Sequence, residues 1–172
     1  MVQMEEWRKI DGYPNYSVSN LGNVRNDKTG KALKRVLQNR GYYQIGLYTK
    51  GTGAQPAMMK VSRVVAQAFI PNPLDHPIVD HIDRDKANDS VSNLRWCTSQ
   101  QNNRNRTKST GTSSRFKGVR WDAANKRWKV TTKINYRNIH IGVFEDETEA
   151  ASAYNEYVRS HGLDEFFVLN VI

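Results

Sequence analysis

Four polar residues in the middle of the chain have the types and the spacing of a metal-dependent hydrolytic site. Asp80 stands next to His81, Asn93 follows twelve residues after the histidine, and Asn102 follows nine residues after that. Carboxylate and carboxamide oxygens are ligands that Mg²⁺ prefers, and an imidazole is a good general base near neutral pH. Asp80 and Asn102 are therefore predicted to hold one divalent ion, while His81 activates water for attack on a phosphodiester.

Each of these residues also has an ordinary structural explanation. Asp80 could close a strand at a turn, His81 could be a buried and hydrogen-bonded histidine, and Asn102 could belong to the polar face of a helix. A second Asp-His pair, Asp75-His76, lies between prolines without spaced asparagines downstream and is predicted to be a loop. The spaced set as a whole, rather than any single member, favours the hydrolytic site.

The elements that would carry the site are short. Two strands joined by a polar loop are predicted over Ile78 to Ile82 and over Leu94 to Cys97, followed by a helix that carries Asn102 and is capped by Thr98 or Ser99. This order brings the end of the first strand towards the first turns of the helix.

Strand geometry sets a condition on the pair Asp80 and His81. Neighbouring side chains on a strand point to opposite faces, so a twist or a bulge is needed before both enter one cleft. Asn93 is predicted to brace the loop through hydrogen bonds to the backbone and so to fix the histidine.

Three elements are predicted before the site. They are a strand, turn and strand over Tyr16 to Val24, a strand over Tyr42 to Tyr48 that Gly51 to Gly53 breaks, and a helix over Val61 to Phe69. The helix follows from apolar residues at positions i, i+3, i+4 and i+7 counted from Val61.

The C-terminal part of the chain reads as a separate small domain. Three strands are predicted over Lys117 to Trp121, Arg127 to Lys133 and Asn138 to Phe144, with a helix that starts after the capping residue Asp146. The alanines of this helix would allow it to lie close to the sheet.

The charge of the chain favours a polyanionic partner. The net charge is +9, and residues 104–120 contain six basic and no acidic side chains. Cations that replace condensed counterions on phosphates drive nucleic-acid binding. A basic chain can also be merely soluble, and residues 107–114 can be a neutral spacer or a basic linker that contacts the nucleic-acid backbone.

Other features bear on the compartment. One cysteine, Cys97, excludes an intramolecular disulfide, and no apolar run is long enough for a membrane span. The N-terminal residues do not resemble a signal peptide. The sequence predicts a protein that is not secreted, located in the cytoplasm of a bacterial or phage-infected cell or in a eukaryotic nucleus, with no membrane partner.

The spaced residues resemble the HNH nuclease motif in its variant that ends in asparagine. Asp80-His81, Asn93-Leu94-Arg95-Trp96 and Asn102 carry the likeness. Glu6 to Ile10 and Tyr16 to Val24 are similar to the module that precedes this motif in phage and intron-encoded homing endonucleases. The resemblance implies a ββα-metal fold, cleavage of DNA with one divalent ion, His81 as base, Asp80 and Asn102 as metal ligands, and Asn93 as the structural asparagine.

Residues 114–170 resemble the plant ethylene-response (Apetala-type) DNA-binding domain. The likeness rests on Ser114 to Trp121, Lys126 to Val130, Ile139 to Phe144 and Glu149 to Tyr154. That family places a three-stranded sheet in the major groove with its helix behind. Residues that alternate along the strands would face the DNA. A solvated basic face is the other explanation. The candidate DNA contacts in this domain are Lys117, Arg120, Lys129, Lys133, Asn138 and His140. Arg104, Arg106 and Lys108, in the basic segment before it, are further candidates. Arg95 is also a candidate, and either a phosphate contact or a pair with a loop carboxylate would explain it.

The prediction is an α+β protein with a small N-terminal β-rich module over residues 1–75, an HNH ββα-metal motif over 76–106, a basic linker over 107–114 and a sheet-plus-helix DNA-binding domain over 115–172. The predicted function is site-specific cleavage of double-stranded DNA with Mg²⁺ or Mn²⁺. A monomer with one site would nick one strand. The alternatives are a non-catalytic, sequence-specific DNA-binding regulator that keeps the nuclease fold, and an RNA-directed protein, which sheet docking in a major groove disfavours.

Overall fold

The computed structural model describes residues 4–49 and 55–172, so the predicted break at Gly51 to Gly53 lies outside the described residues. The chain divides into two compact units, Met1–Ser99 and Gln100–Ile172. The fold is α+β, as the sequence predicts. Among the described residues, no helix has the length and apolar character needed to span a membrane.

The first unit consists of small antiparallel sheets around one helix. One sheet has the order β1-β2-β3 and comprises Trp7–Ile10, Tyr13–Ser19 and Val24–Asn26. A second has the order β4-β5-β6 and comprises Val36–Leu37, Tyr43–Leu47 and Ala57–Lys60. The strands β7 (Ile78–His81) and β8 (Leu94–Cys97) form a two-stranded sheet, and a 3₁₀ turn, Val91–Asn93, precedes β8.

Helix α1 (Val61–Phe69) has the bounds that its apolar spacing predicts, and it organises the core of this unit. Val61, Val64 and Val65 are fully buried and share one apolar cluster with Val18 and Leu94. Residues from the predicted segments 1–75 and 76–106 therefore pack into a single core. The strand pair that carries His81 is held by this common core rather than by a core of its own.

Three strands have no counterpart in the sequence prediction. The strands β1, β4 and β6 contain two to four residues each and are mostly exposed. Such short segments do not repeat the apolar alternation that identifies a strand. Pairing with the longer strands β2 and β5 defines them.

The second unit contains the predicted sheet with one helix. It begins with the short helix α2 (Ser99–Arg104), whose first residue closes the first unit. The strands β9 (Val119–Asp122), β10 (Arg127–Ile134) and β11 (Arg137–Phe144) form an antiparallel sheet in the order β11-β10-β9, and helix α3 (Glu147–Ser160) packs on it. Asp146 caps α3, because its side chain accepts hydrogen bonds from the amides of Thr148 and Glu149.

The contact between α3 and the sheet depends on Gly118. This residue has φ +78°, and a Cβ atom there would lie 2.3 Å from Cδ2 of the buried Tyr154 and 3.0 Å from the carbonyl oxygen of Thr131. Gly111 has nearly the same backbone angle, φ +80°, but a Cβ atom there would meet nothing within 4 Å. A comparison of alanine substitutions at the two glycines therefore separates the effect of backbone strain from that of steric overlap.

We expect Gly118→Ala to destabilise the second unit by about 2–4 kcal/mol, because overpacking against Tyr154 adds to the left-handed backbone strain. Gly111→Ala, the matched control, should cost only the backbone term of about 1–2 kcal/mol. Amide hydrogen exchange of Val130 and its neighbours in the full chain measures the difference. Equal losses for the two variants would contradict the packing argument.

Candidate active site

Asp80 is a buried carboxylate on β7 that is paired across the sheet. In the β7–β8 register Asp80 lies opposite Arg95, and the pairing shows no register shift. Asp80 Oδ2 accepts hydrogen bonds from Arg95 Nε at 3.0 Å and from Nη2 at 2.8 Å. The sequence leaves two roles open for Arg95, a contact with a phosphate or a pair with a loop carboxylate. The structure shows Arg95 paired with the carboxylate of Asp80.

His81 ends the same strand and contacts a different carboxylate. The imidazole is buried, and its Nε2 lies 3.0 Å from Oδ1 of Asp89, which is also buried. The ring of Tyr42 lies 5.8 Å away in a tilted arrangement. Since a carboxylate accepts a proton from Nε2–H, the ring nitrogen that remains basic in the neutral imidazole is Nδ1.

Asp89 is a site residue that the sequence analysis missed. It lies eight positions after His81, in a loop that also contains Asp83 and Asp85. No feature of the sequence distinguishes Asp89 from these two exposed aspartates. Only the path of the loop, which returns from the end of β7 to β8, brings its carboxylate to the imidazole.

Asn93 braces that loop with both ends of its side chain. Its Nδ2 donates to Asp83 Oδ1 and to the carbonyl oxygen of Asn88, both at 2.8 Å, and its Oδ1 accepts from the Asp83 amide at 2.9 Å. The side chain of Asn88 donates in turn to Asp83 Oδ2 at 2.8 Å. The loop between β7 and β8 is therefore closed by polar contacts around Asp83.

These contacts hold the pKa of Asp83 below its ordinary value. Desolvation acts in the opposite direction and would raise the pKa, but hydrogen bonds from Asn88, from the Asp85 amide and from Asn93 outweigh it, and His81 adds a smaller coulombic contribution. The ionised form of Asp83 is thus the form that stabilises the loop.

Two basic side chains that the sequence analysis did not single out lie over the Tyr42 ring, which borders His81. The ammonium groups of Lys60 and Lys86 lie 4.3 and 5.1 Å from the centre of the Tyr42 ring, the same ring that borders His81. Lys86 also donates to the carbonyl oxygen of Arg40 at 3.1 Å. A phosphate that approached His81 would meet positive charge on this side.

Asn102 lies half-buried on helix α2, within the second unit. The pairing of Asp80 with Asn102 as metal ligands therefore stays a prediction. Among the described residues, no group of three or more His, Cys, Asp and Glu side chains could hold a metal ion. Asp80 supplies a carboxylate, the kind of ligand that a hard cation takes, and amide, phosphate and water oxygens would complete such a shell.

In the second unit the candidate DNA contacts fall into two groups. Arg120 pairs with Lys129 across the sheet, His140 with Thr131, and Asn138 with Lys133. Facing residues of paired strands lie on the same side of a sheet, and this side is opposite the one that carries the buried Val119 and Val130. One face therefore collects Arg120, Lys129, Lys133, Asn138 and His140. Arg106 is also exposed.

The other group has internal partners. Lys108 donates to the carbonyl oxygens of Phe116, at 2.7 Å, and of Val119, and burial lowers the pKa of its ammonium group. Lys117 donates to the carbonyl oxygens of Arg104 and of Arg106, the latter at 2.6 Å, and the Arg104 guanidinium lies over the Phe167 ring. The structure gives these three cations roles within the unit rather than on the sheet face.

Comparison with known proteins assigns two segments to families. Residues 5–48 match the NUMOD4 motif, and residues 59–104 match the HNH endonuclease family. The chain is therefore similar to NUMOD4 motifs over its first segment and to HNH endonucleases over the second. The C-terminal sheet and helix lie beyond both matches, and the resemblance to the plant ethylene-response domain stays a prediction.

The relatives agree with this assignment. The chain is 41% identical over 98 residues to DNA endonuclease I-HmuI of Bacillus phage SP01. The alignment covers 56% of this chain and 55% of that protein. It is 38% identical over 112 residues to Uncharacterized HNH endonuclease L245 of Acanthamoeba polyphaga mimivirus, covering 65% of this chain and 32% of that one. The chain thus spans about a third to a half of the length of these relatives.

A solved structure shares the fold. The structure described as DNA binding and cleavage by the HNH homing endonuclease I-HmuI aligns with a TM-score of 0.51 and 40% identity, and the alignment covers 56% of this chain and 55% of that one. Asp80 and His81 therefore lie within the segment that is similar to HNH endonucleases.

The stability contributed by Asp83 should depend on pH. Its folded pKa lies below the unfolded value of about 3.9, so the contribution is complete above that value and disappears as the pH falls through the folded pKa. Urea unfolding should show Asp83→Asn less stable than the wild type at pH 7, with a gap that closes below about pH 4. Asn93→Ala should weaken this pH dependence, and strict additivity of the two substitutions would contradict the loop network.

Proposed function

We propose that this protein is a site-specific DNA endonuclease of the HNH homing type, which hydrolyses a phosphodiester with one divalent metal ion and nicks one strand. The observation that carries the proposal is the buried His81–Asp89 pair at the end of β7, adjacent in the chain to the buried carboxylate of Asp80. The NUMOD4 and HNH matches and the likeness to I-HmuI support it.

HNH endonucleases generally use a divalent metal ion. Asp80 and Asn102 are the proposed ligands, and Mg²⁺ or Mn²⁺ the proposed ion, because one carboxylate and one carboxamide form a hard oxygen donor set. When bound, the ion would supply positive charge to the phosphate and to the departing oxygen. Arg95 would remain beside Asp80 and keep the carboxylate oriented.

His81 supplies the base in the proposed reaction. Nδ1 takes the proton from a water molecule while Nε2–H stays bonded to Asp89. The water oxygen forms a bond to phosphorus, the bond between phosphorus and the 3′ oxygen breaks, and that oxygen takes up a proton. The products are a 5′-phosphate and a 3′-hydroxyl. Lys60 and Lys86 would draw the neighbouring phosphates of the backbone towards the imidazole.

The second unit is the proposed reader of double-stranded DNA. Its sheet face carries Arg120, Lys129 and Lys133 together with Asn138 and His140, which are the kinds of side chain that contact phosphates and base edges. The arrangement of three strands with one helix behind also supports the plant ethylene-response-type interpretation. The proposed form is a monomer that acts on DNA in a bacterial or phage-infected cell, or in a nucleus.

Loss of His81 should separate cleavage from binding. We expect His81→Ala to bind target DNA with little change and to cut it at least about a hundredfold more slowly, as for loss of a general base. Supercoiled plasmid that carries candidate target DNA, incubated with Mg²⁺, with Mn²⁺ or with EDTA, reports open-circle product. His76→Ala, in the other Asp-His pair, is the matched control and should cut normally.

Three results would change the proposal. Normal cleavage by His81→Ala would show that this histidine is not the general base. Cleavage in the presence of EDTA would show that the reaction needs no divalent metal ion. Binding of the target by the wild type, without cleavage under any metal condition, would favour a DNA-binding regulator that keeps the nuclease fold.

The sheet face should contribute to the salt dependence of DNA binding. We expect Lys129→Ala/Lys133→Ala to reduce the slope of log K against log salt by about 2, one for each lost phosphate contact. Arg159→Ala, an exposed cation on α3 behind the sheet, should leave the slope unchanged. Fluorescence anisotropy between low and moderate salt measures the slopes, and equal slopes for all three proteins would contradict the reader assignment.

A further inference from the structure

We propose that the turn Ser19 to Asn23 of the NUMOD4 motif positions the active site of the HNH domain, because it holds Asp89 in place against His81. The inference rests on the proposed function for its catalytic consequence, whereas the physical coupling can be measured without any cleavage. Both segments belong to the first unit. The NUMOD4 turn is here the name for residues 19–23.

The NUMOD4 turn is held by many hydrogen bonds. Ser19 Oγ accepts from the amides of Leu21, at 3.3 Å, and Asn23, at 3.1 Å, and the Gly22 amide donates to the Ser19 carbonyl oxygen at 3.0 Å. The buried Asn20 side chain accepts from the Glu6 amide at 2.9 Å and donates to the Met4 carbonyl oxygen at 3.0 Å. A turn tied on both sides can serve as a fixed support.

The NUMOD4 turn contacts the loop between β7 and β8 at two points. The Asn20 carbonyl oxygen accepts a hydrogen bond from the Val91 amide at 2.8 Å. Gly22 has φ +82°, and a Cβ atom there would lie 3.0 Å from Cβ of Asp89 and 3.2 Å from its carbonyl oxygen. The backbone of Gly22 therefore packs directly on Asp89, and a Cβ atom at this position would require Asp89 to give by a few tenths of an ångström.

The position of Asp89 determines its contact with the His81 imidazole. Its Oδ1 lies 3.0 Å from His81 Nε2, while its buried Oδ2 has no hydrogen-bond partner within the described part of the protein. A buried carboxylate oxygen without a partner costs stability. The fold accepts this cost at a residue that contacts the imidazole of the HNH motif, which points to a functional use of the carboxylate.

The contact with Asp89 fixes both the tautomer and the orientation of the His81 imidazole. A hydrogen bond from Nε2–H to Asp89 keeps Nδ1 as the basic nitrogen and fixes the plane of the ring. Displacement of Asp89 by a few tenths of an ångström would weaken that bond. The NUMOD4 turn would then affect the rate of the chemical step and not only the affinity for DNA.

The first test replaces glycines in matched pairs. Gly22, Gly12 and Gly30 all have positive φ, at 82°, 73° and 69°, but a Cβ atom at Gly12 or Gly30 would meet nothing within 4 Å. All three alanine variants carry comparable backbone strain, and only Gly22→Ala presses on Asp89. Nitrogen NMR of the His81 imidazole in the full chain, with folding checked by circular dichroism, reports the ring tautomer in each variant.

We expect Gly22→Ala to shift the His81 nitrogen signals away from the Nε2–H tautomer and to slow single-turnover cleavage about tenfold with unchanged DNA binding. Gly12→Ala and Gly30→Ala should behave as the wild type in both measurements. Unshifted His81 signals in a folded Gly22→Ala protein, or equal shifts in all three variants, would overturn the proposal.

Asp89 variants provide the second test. Asp89→Ala should abolish the Nε2–H signature and slow cleavage at least about tenfold, whereas Asp89→Asn keeps an acceptor oxygen and should retain more of both. Wild-type His81 signals in Asp89→Ala would overturn the coupling. Absence of cleavage in the wild type would instead defeat the proposed function, while the NMR comparison would still decide whether the turn controls the imidazole.

Discussion

The buried contact between Asp89 and His81 is the interaction on which the geometry of the first unit depends. Burial of two polar side chains is unfavourable unless each finds a partner. Here the fold sets the imidazole against the carboxylate at 3.0 Å and pairs the adjacent Asp80 with Arg95. The β7–β8 strand pair is too small to enclose these groups. The common core around α1 and the NUMOD4 turn supply the additional packing that buries them.

The same requirement explains how the second unit uses its cations. The segment between α2 and β9 has little regular structure, so carbonyl groups within it and at its two ends need donors other than a strand or helix ladder. Lys108 and Lys117 supply them, and each ammonium group reaches two carbonyl oxygens. The lysine and arginine side chains that project from β9 and β10 are not used in this way. A basic run in the sequence thus divides into cations that hold the fold and cations that face outwards.

The sequence predicted the elements with strong local signals. Helix α1 follows from apolar spacing, the β7 and β8 strands from short apolar runs beside turn residues, and the C-terminal sheet from alternation. It did not predict β1, β4 and β6, because a strand of two to four residues is defined by its partner. It also left Arg95 with two possible roles, which the cross-strand register decides in favour of Asp80.

The sequence by itself determined the chemical inventory: one imidazole beside one carboxylate, two spaced asparagines, and an excess of positive charge that suits a nucleic acid. Residue types and spacings along the chain contain that information. Only the tertiary structure decided which carboxylate contacts His81, which cations face solvent, and that Gly22 packs on Asp89. Those contacts join residues far apart in the chain or indistinguishable from their neighbours, and they exist only when one core closes around both segments.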